Sequence, residues 1–379
     1  GLANTPAIGV YARPGLSYDS YPDAGTLNDP WHRRPLLFRL GTGTAEMEIR
    51  SGGGTHIGGK DQGIFIKGLT GGRKCNRIGG EVNKMTEGAL VLEGGSLRGV
   101  FSAGVLDVFM EQGIEMSYVN GVSAGSMCGM SYISKQIGRT IRVDLDYVND
   151  KRFMSFRSMV KNRSIFNFDF LFGELSETLI PFDFETFEAS KQRFEVVATR
   201  CKTGKPEYFE KGKCEDFIEA VKASSSLPIL SRMIDVGGKK YLDGGCSMPI
   251  AYQRAIDEGY EKIIVILTRN QGYRKKPVDK WTRRAYEHYF KPLPRLLQSL
   301  EEAPERYNRM QEEIDELEKA GRIYVIRPDK PVTVSRTEQD RKKLEALYED
   351  GRRLAMEQLA DIKKYLGIET TGYPAESNH

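Results

Sequence analysis

The 379-residue chain is 39% hydrophobic and carries 56 Lys/Arg against 52 Asp/Glu, enough apolar material for a sizeable core. Its small net charge of +4 is confined to residues 1–84, which hold eleven basic and seven acidic residues; residues 85–379 balance at 45 of each, which argues against a nucleic-acid partner. Five scattered cysteines (Cys75, Cys128, Cys201, Cys214, Cys246) form no Cys-x-x-Cys pair and fit a reducing compartment with no zinc site. No apolar run approaches the roughly 18 residues of a membrane span, and the N-terminus lacks the basic-then-apolar order of a signal peptide, so a cytoplasmic protein is expected.

Residues 1–84 are glycine-rich and show no sustained apolar period, so a disordered leader is expected there. Ile78-Gly79-Gly80-Glu81 can be encoded by a purine-rich stretch resembling a bacterial ribosome-binding site, a few codons before Met85. A natural start at Met85 is therefore expected, with a regulatory arm or linker as the rival reading.

After Met85, Ala89 to Leu92 reads as a buried strand that ends in Glu93-Gly94-Gly95-Ser96-Leu97-Arg98-Gly99 and leads into a helix from Val100 to Gln112. Amides crowded at such a turn form a nest for negative charge. Neither the G-x-G-x-x-G fingerprint nor a P-loop fits the spacing. Met116 to Val122 reads as a second buried strand and Ala124 to Lys135 as a helix, which places Gly121-Val122-Ser123-Ala124-Gly125 at the junction with the G-x-S-x-G spacing of a nucleophile elbow. Ser123 is the candidate nucleophile, facing the positive end of the helix dipole. Standing alone, the motif would read as an ordinary strand–helix turn.

Further along, a basic run (Lys151, Arg152, Arg157, Lys161, Arg163) precedes the aromatic stretch Ile165 to Phe172, and a second aromatic and cationic segment runs from Arg274 through Trp281, Tyr286, Tyr289 and Phe290 to Lys291. Each is expected to pack on a core or a solvated face, with an acyl channel or a lid as the alternative. Phe194 to Arg200 and Glu207 to Phe209 flank Thr203-Gly204-Lys205-Pro206 as a hairpin, and Ile263 to Leu267 and Arg322 to Ile326 read as buried strands. Leu344, Leu347, Tyr348, Gly351, Leu354, Ala355, Leu359, Ile362 and Leu366 recur at helical spacing, the pattern of amphipathic helices packed on the domain.

A serine nucleophile needs a base, yet the chain has four histidines: His32 and His56 in the leader, His288 in a charged helix, and His379 at the end. A carboxylate is the better candidate. Asp243, in Lys240-Tyr241-Leu242-Asp243-Gly244-Gly245-Cys246, ends a short strand where two glycines let the backbone pass closely; a plain Asp-Gly turn is the alternative reading.

Four blocks now stand in order: Gly94-Gly95-Ser96-Leu97-Arg98-Gly99, Gly121-Val122-Ser123-Ala124-Gly125, Ala223-Ser224-Ser225-Ser226-Leu227-Pro228 and Asp243-Gly244-Gly245. They resemble the conserved blocks of patatin-like phospholipases, over Thr86 to about Leu366, and the layout with its C-terminal helices resembles a bacterial subgroup of that family. The resemblance implies a three-layer α/β/α domain with a mostly parallel central sheet, and a Ser-Asp dyad that needs neither histidine nor calcium for its chemistry. It makes Ser123 the nucleophile, Asp243 the base, Gly94, Gly95, Ser96, Leu97, Arg98 and Gly99 the oxyanion loop, and Gly121 and Gly125 the elbow. One position departs from the family, whose loop usually opens with three glycines where this chain has Ser96.

The expected organisation is a leader (1–84), a catalytic domain (85–330) and C-terminal helices packed on it (331–379). The expected function is hydrolysis of lipid carboxylic esters through an acyl-enzyme, of the phospholipase A, lysophospholipase or esterase type. No cofactor or metal is implied; the partner is a lipid or acyl-ester substrate, and peripheral membrane contact stays open. The alternative is a lipid-binding or regulatory protein of the same fold with little turnover.

Overall fold

The computed structural model describes residues 85–155 and 164–368. The leader 1–84, and with it the expectation of disorder and of a start at Met85, lies outside them, as do Arg157, Lys161 and Arg163 of the basic run.

Eight strands form one sheet: β1 (Thr86–Leu92), β2 (Met116–Val122), β3 (Arg193–Arg200), β4 (Pro206–Glu210), β5 (Ile234–Val236), β6 (Lys239–Asp243), β7 (Ile263–Ile266) and β8 (Tyr324–Ile326). Five of them run parallel in the order β8-β7-β1-β2-β3. Their side chains alternate between two cores, with Leu90, Leu92, Val119 and Ile264 on one face and Ala89, Val91, Tyr118 and Val265 on the other. Strands that must bury both faces carry apolar runs, which is why Ala89–Leu92 of β1 and the whole of β7 are legible in the sequence; β2 buries Ser117 and Asn120 among its apolar residues.

Helices cover both faces, giving a three-layer α/β/α arrangement around a mostly parallel sheet. The first face packs against α1 (Val100–Glu111), α2 (Ala124–Ile133), α3 (Arg139–Tyr147), α4 (Phe184–Ala189) and α5 (Phe217–Ser224). The second face packs against α6 (Tyr252–Asp257) and, after α7 (Lys280–Phe290), the long α8 (Pro294–Lys319), which contributes Tyr307 and Ile314. Helices α9 (Arg341–Glu357) and α10 (Leu359–Leu366) return to the first face, where Leu344, Leu354, Ala355 and Ile362 join the main core.

The amphipathic pattern near the C-terminus is therefore spent on packing, and its glycine has a steric reason. A Cβ at Gly351 would lie 2.2 Å from the Phe101 carbonyl oxygen, and one at Gly104 the same 2.2 Å from the Tyr348 carbonyl oxygen, so α1 and α9 meet backbone to backbone. Tyr348 locks the contact by donating to Asp107 at 2.7 Å, and Arg352 pairs with both oxygens of Glu111. Gly351→Ala is expected to destabilise the protein by about 3 kcal/mol, because neither backbone can yield. Urea denaturation measures it, as a lower midpoint with an unchanged slope.

One edge of β3 brings the functional loops together. β2 pairs with β3 in parallel as far as Val122 opposite Val197, and β6 pairs with it antiparallel, ending with Asp243 opposite Ala198. β4 occupies the other edge of the same stretch, so β2 and β6 share one edge and meet C-terminus to C-terminus. The next residue of β2's chain is Ser123, and the last of β6 is Asp243.

Candidate active site

Ser123 sits between β2 and α2 with φ 55° and ψ −123°, a conformation that a non-glycine residue holds only when its surroundings enforce it. Two glycines allow the turn: a Cβ at Gly121 would lie 2.7 Å from the Gly125 carbonyl oxygen, and one at Gly125 would lie 2.5 Å from that of Leu92. The Ser123 amide donates to the Ser224 hydroxyl at 2.9 Å, and its carbonyl accepts from both the amide and the hydroxyl of Ser126. With backbone and flanks fixed, the hydroxyl is the part left free to react.

That hydroxyl donates to Asp243 Oδ2 at 2.7 Å, and both residues are buried. The other carboxylate oxygen, Oδ1, accepts from the Gly245 amide at 2.7 Å, which leaves Oδ2 turned to the serine. Burial pushes the Asp243 carboxyl up to about 6; the bonds from Ser123 and Gly245 pull the other way without offsetting it. The block Ala223 to Pro228 supports both partners, since the Asp243 amide donates to the Ser226 carbonyl at 2.8 Å while Ser224 holds Ser123. His288 lies exposed on α7, and the other three histidines lie outside the described residues.

The glycine loop runs directly beside the elbow: a Cβ at Gly94 would fall 3.1 Å from that of Ser123. Its amides are not equivalent. Gly94 points its N–H at the Pro249 carbonyl (3.5 Å), and Arg98 donates to the Gly95 carbonyl (3.2 Å) within the turn. Gly95, Ser96 and Leu97 donate to no protein group among the described residues, so amides of the six-residue loop stand ready for a ligand. Ser96 takes φ 50°, in the left-handed region that favours glycine.

Comparison with known proteins adds three findings. Residues 90–256 match the model of the patatin-like phospholipase family, and residues 293–367 match a domain of unknown function, DUF6363. A protein of Escherichia coli strain K12, described as uncharacterized protein YjjU, is 31% identical over 255 residues, covering 64% of this chain and 69% of the relative. The chain belongs to the patatin-like phospholipase family. Membership supports hydrolysis of lipid esters in general. A solved structure, VipD of Legionella pneumophila, aligns at 12% identity over 73% of this chain and 67% of its own, with a TM-score of 0.37.

Within this patatin-like domain, the left-handed Ser96 has a measurable cost. A Cβ in that region costs about 1–2 kcal/mol. Ser96→Gly is therefore expected to raise the free energy of unfolding by about 1 kcal/mol, read as an increase in Tm by calorimetry.

Two cavities open on the elbow, and Ser123 and Ser96 line both. The narrower, of about 100 Å³, is walled by Met127, Phe153, Phe166, Phe168, Leu171 and Phe172. The aromatic stretch at Ile165 to Phe172 thus forms a channel wall as well as core, with Phe168 and Phe170 buried. The wider, of about 330 Å³, lies on the Asp243 side and is the more polar of the two, taking Tyr286 and Val278 from the second aromatic segment. Trp281 and Tyr289 of that segment face solvent, 75% and 60% exposed. Among the described residues no helix is long and apolar enough to cross a membrane.

Sequence reading placed Ser123, Asp243 and the glycine loop, and the structure brings all three within one site. It did not find the cations of the wider cavity.

Proposed function

We propose that this patatin-like protein hydrolyses lipid carboxylic esters through a Ser123–Asp243 dyad and a covalent acyl-enzyme. The observation that carries the reading is the 2.7 Å hydrogen bond between two buried side chains, Ser123 Oγ and Asp243 Oδ2, at the point where an apolar and a more polar cavity meet.

In the first step Ser123 Oγ attacks the ester carbonyl carbon while its proton passes to Asp243 Oδ2. A carboxylate whose pKa is raised to about 6 is a stronger base than an ordinary one, so burial makes the transfer less unfavourable. The oxyanion of the tetrahedral intermediate is met by the uncommitted amides of Gly95 and Ser96 and by the N-terminus of α2. Such donors are fixed before reaction, and each is worth on the order of 3 kcal/mol. Collapse breaks the bond to the alcohol oxygen, which takes the proton from Asp243 and leaves. Asp243 then removes a proton from water, the hydroxide attacks the acyl carbonyl, and Ser123 recovers its proton as the fatty acid departs.

Labelling tests the assignment directly. A fluorophosphonate probe is expected to modify the Ser123 peptide, found by mass spectrometry after digestion, and to be blocked by a competing ester. Labelling that persists in Ser123→Ala would refute it, and a protein that binds esters but neither labels nor turns over p-nitrophenyl butyrate would favour the lipid-binding reading.

A further inference from the structure

The wider cavity gathers four cations from distant parts of the chain: Arg98 of the glycine loop, Arg269 and Lys275 between β7 and α7, and Arg336 before α9. Among the described residues none of the four lies within 4.0 Å of a carboxylate oxygen, although the surface carries many such pairs. Their polar contacts are few. Arg269 donates to the Val332 carbonyl at 3.0 Å, Lys275 Nζ lies 3.9 Å from the centre of the Tyr307 ring, and the buried Arg98 has an Nε with no hydrogen-bond partner.

The two carboxylates in the cavity are occupied otherwise. Glu93 accepts from the Tyr307 hydroxyl at 2.9 Å and the Thr268 amide at 2.6 Å, and Asp243 is held by Ser123 and Gly245. Four cations against two engaged carboxylates leave the cavity positive. The crowding is felt: burial, with Arg336 and Arg98 beside it, pushes Lys275 down to about 8 against the pull of Glu93, and burial with Arg269 pushes Arg98 down to about 10. Arg98 is buried and Arg269 and Lys275 are half-buried, with no carboxylate partner among the described residues; such cations cost stability, and a bound anion recovers that cost.

The position relative to the chemistry fixes which anion. The apolar channel leaves Ser123 on one side and the cationic cavity on the other, so an ester with its acyl chain in the channel directs its alcohol toward Arg269, Lys275 and Arg336. We infer that this cavity is a head-group subsite for substrates whose alcohol portion carries a phosphate monoester, a dianion that several cations and the guanidinium forks suit better than a zwitterion or a neutral glycerol. The inference rests on Ser123 being the acyl-accepting residue. It gives Arg269, Lys275 and Arg336 the task of setting specificity.

Three soluble esters that share one acyl chain test it: 1-hexanoylglycerol 3-phosphate, 1-hexanoylglycerol and 1-hexanoylglycerophosphocholine, all below their aggregation limits. The phosphate monoester is expected to have a kcat/KM about 30-fold above the neutral ester, the worth of one or two charge-assisted hydrogen bonds. The ratio of the two is expected to fall toward one in Lys275→Met and in Arg336→Ala, the latter an exposed rim residue whose loss threatens no packing. Equal kcat/KM for the three esters, or a ratio unmoved in both variants, would overturn the inference. So would inorganic phosphate that raises turnover of the neutral ester to the phosphorylated level, since the cavity would then hold a free anion. Failure of the Ser123 reading looks different: no ester, p-nitrophenyl butyrate included, is turned over. In that event calorimetric binding of non-hydrolysable ether analogues of the phosphorylated and neutral esters still decides the anion preference, and equal affinities would refute it.

Discussion

Ser123→Ala is expected to lower kcat on any ester by about 10⁵-fold, because without the nucleophile no acyl-enzyme forms and water must attack the ester unaided. Binding should survive. The variant keeps the oxyanion amides of Gly95 and Ser96 and both cavities, so the dissociation constant of a non-hydrolysable ester analogue is expected to change by less than about threefold, a few tenths of a kcal/mol. The backbone offers a second readout. Ser123 holds φ 55° whatever its side chain, so alanine gains nothing in strain and loses one buried hydrogen bond to Asp243. A stability change within about 1 kcal/mol is expected, and stopped-flow or discontinuous hydrolysis of p-nitrophenyl butyrate measures the rate loss on folded protein. Turnover within tenfold of the parent would mean that another residue carries the acyl group.

Part of this site could be read before any coordinates because its residues are local to strand ends. β2 is buried throughout, and the glycines at 121 and 125 have no room for a Cβ, so the elbow leaves a mark five residues long. Asp243 was legible for the same reason, as an acidic residue that closes a strand before two glycines. Pairing along β3 is not local: that Val122 faces Val197 while Asp243 faces Ala198 depends on residues 75 and 45 apart in the chain, so the sequence offers Asp243 as a base on its type and setting but not its place beside Ser123.

The cationic cavity was hidden by averaging. Residues 85–379 balance their charges, which bears on partners that read the whole surface, such as nucleic acid, but says nothing about one concavity. Arg98, Arg269, Lys275 and Arg336 share no period or spacing, and they converge because α7, α8 and the segment before α9 close over the polar side of the elbow. The apolar channel was half visible: the aromatic stretch at Ile165 to Phe172 stood out, but core and channel wall have the same composition. Only the position of Ser123 at the end of the cavity separates them.

Asp243→Asn is expected to remove activity and strengthen the fold at once, and the pH dependence separates the two effects. The proton acceptor is the carboxylate, so kcat/KM of the parent should rise with pH through about 6 and stay level above it until another group titrates. An amide cannot take the proton at any pH; a loss of roughly 10³–10⁴-fold with no rise through pH 6 is expected. Stability runs the other way. Because the folded carboxyl titrates near 6 rather than near the ordinary 3.8, the native state favours the protonated form; the resulting stabilisation is complete below pH 4 and is lost as pH rises through about 6. Asparagine never ionises and escapes that loss, a gain on the order of 3 kcal/mol above pH 6. Having one acceptor oxygen where Ser123 and Gly245 used two takes back about 1 kcal/mol. Urea unfolding is expected to find Asp243→Asn about 2 kcal/mol more stable than the parent at pH 8, with the advantage shrinking toward pH 4. A variant less stable than the parent at pH 8 would mean that Asp243 is ionised at little cost, and the basicity that this mechanism draws from burial would be absent.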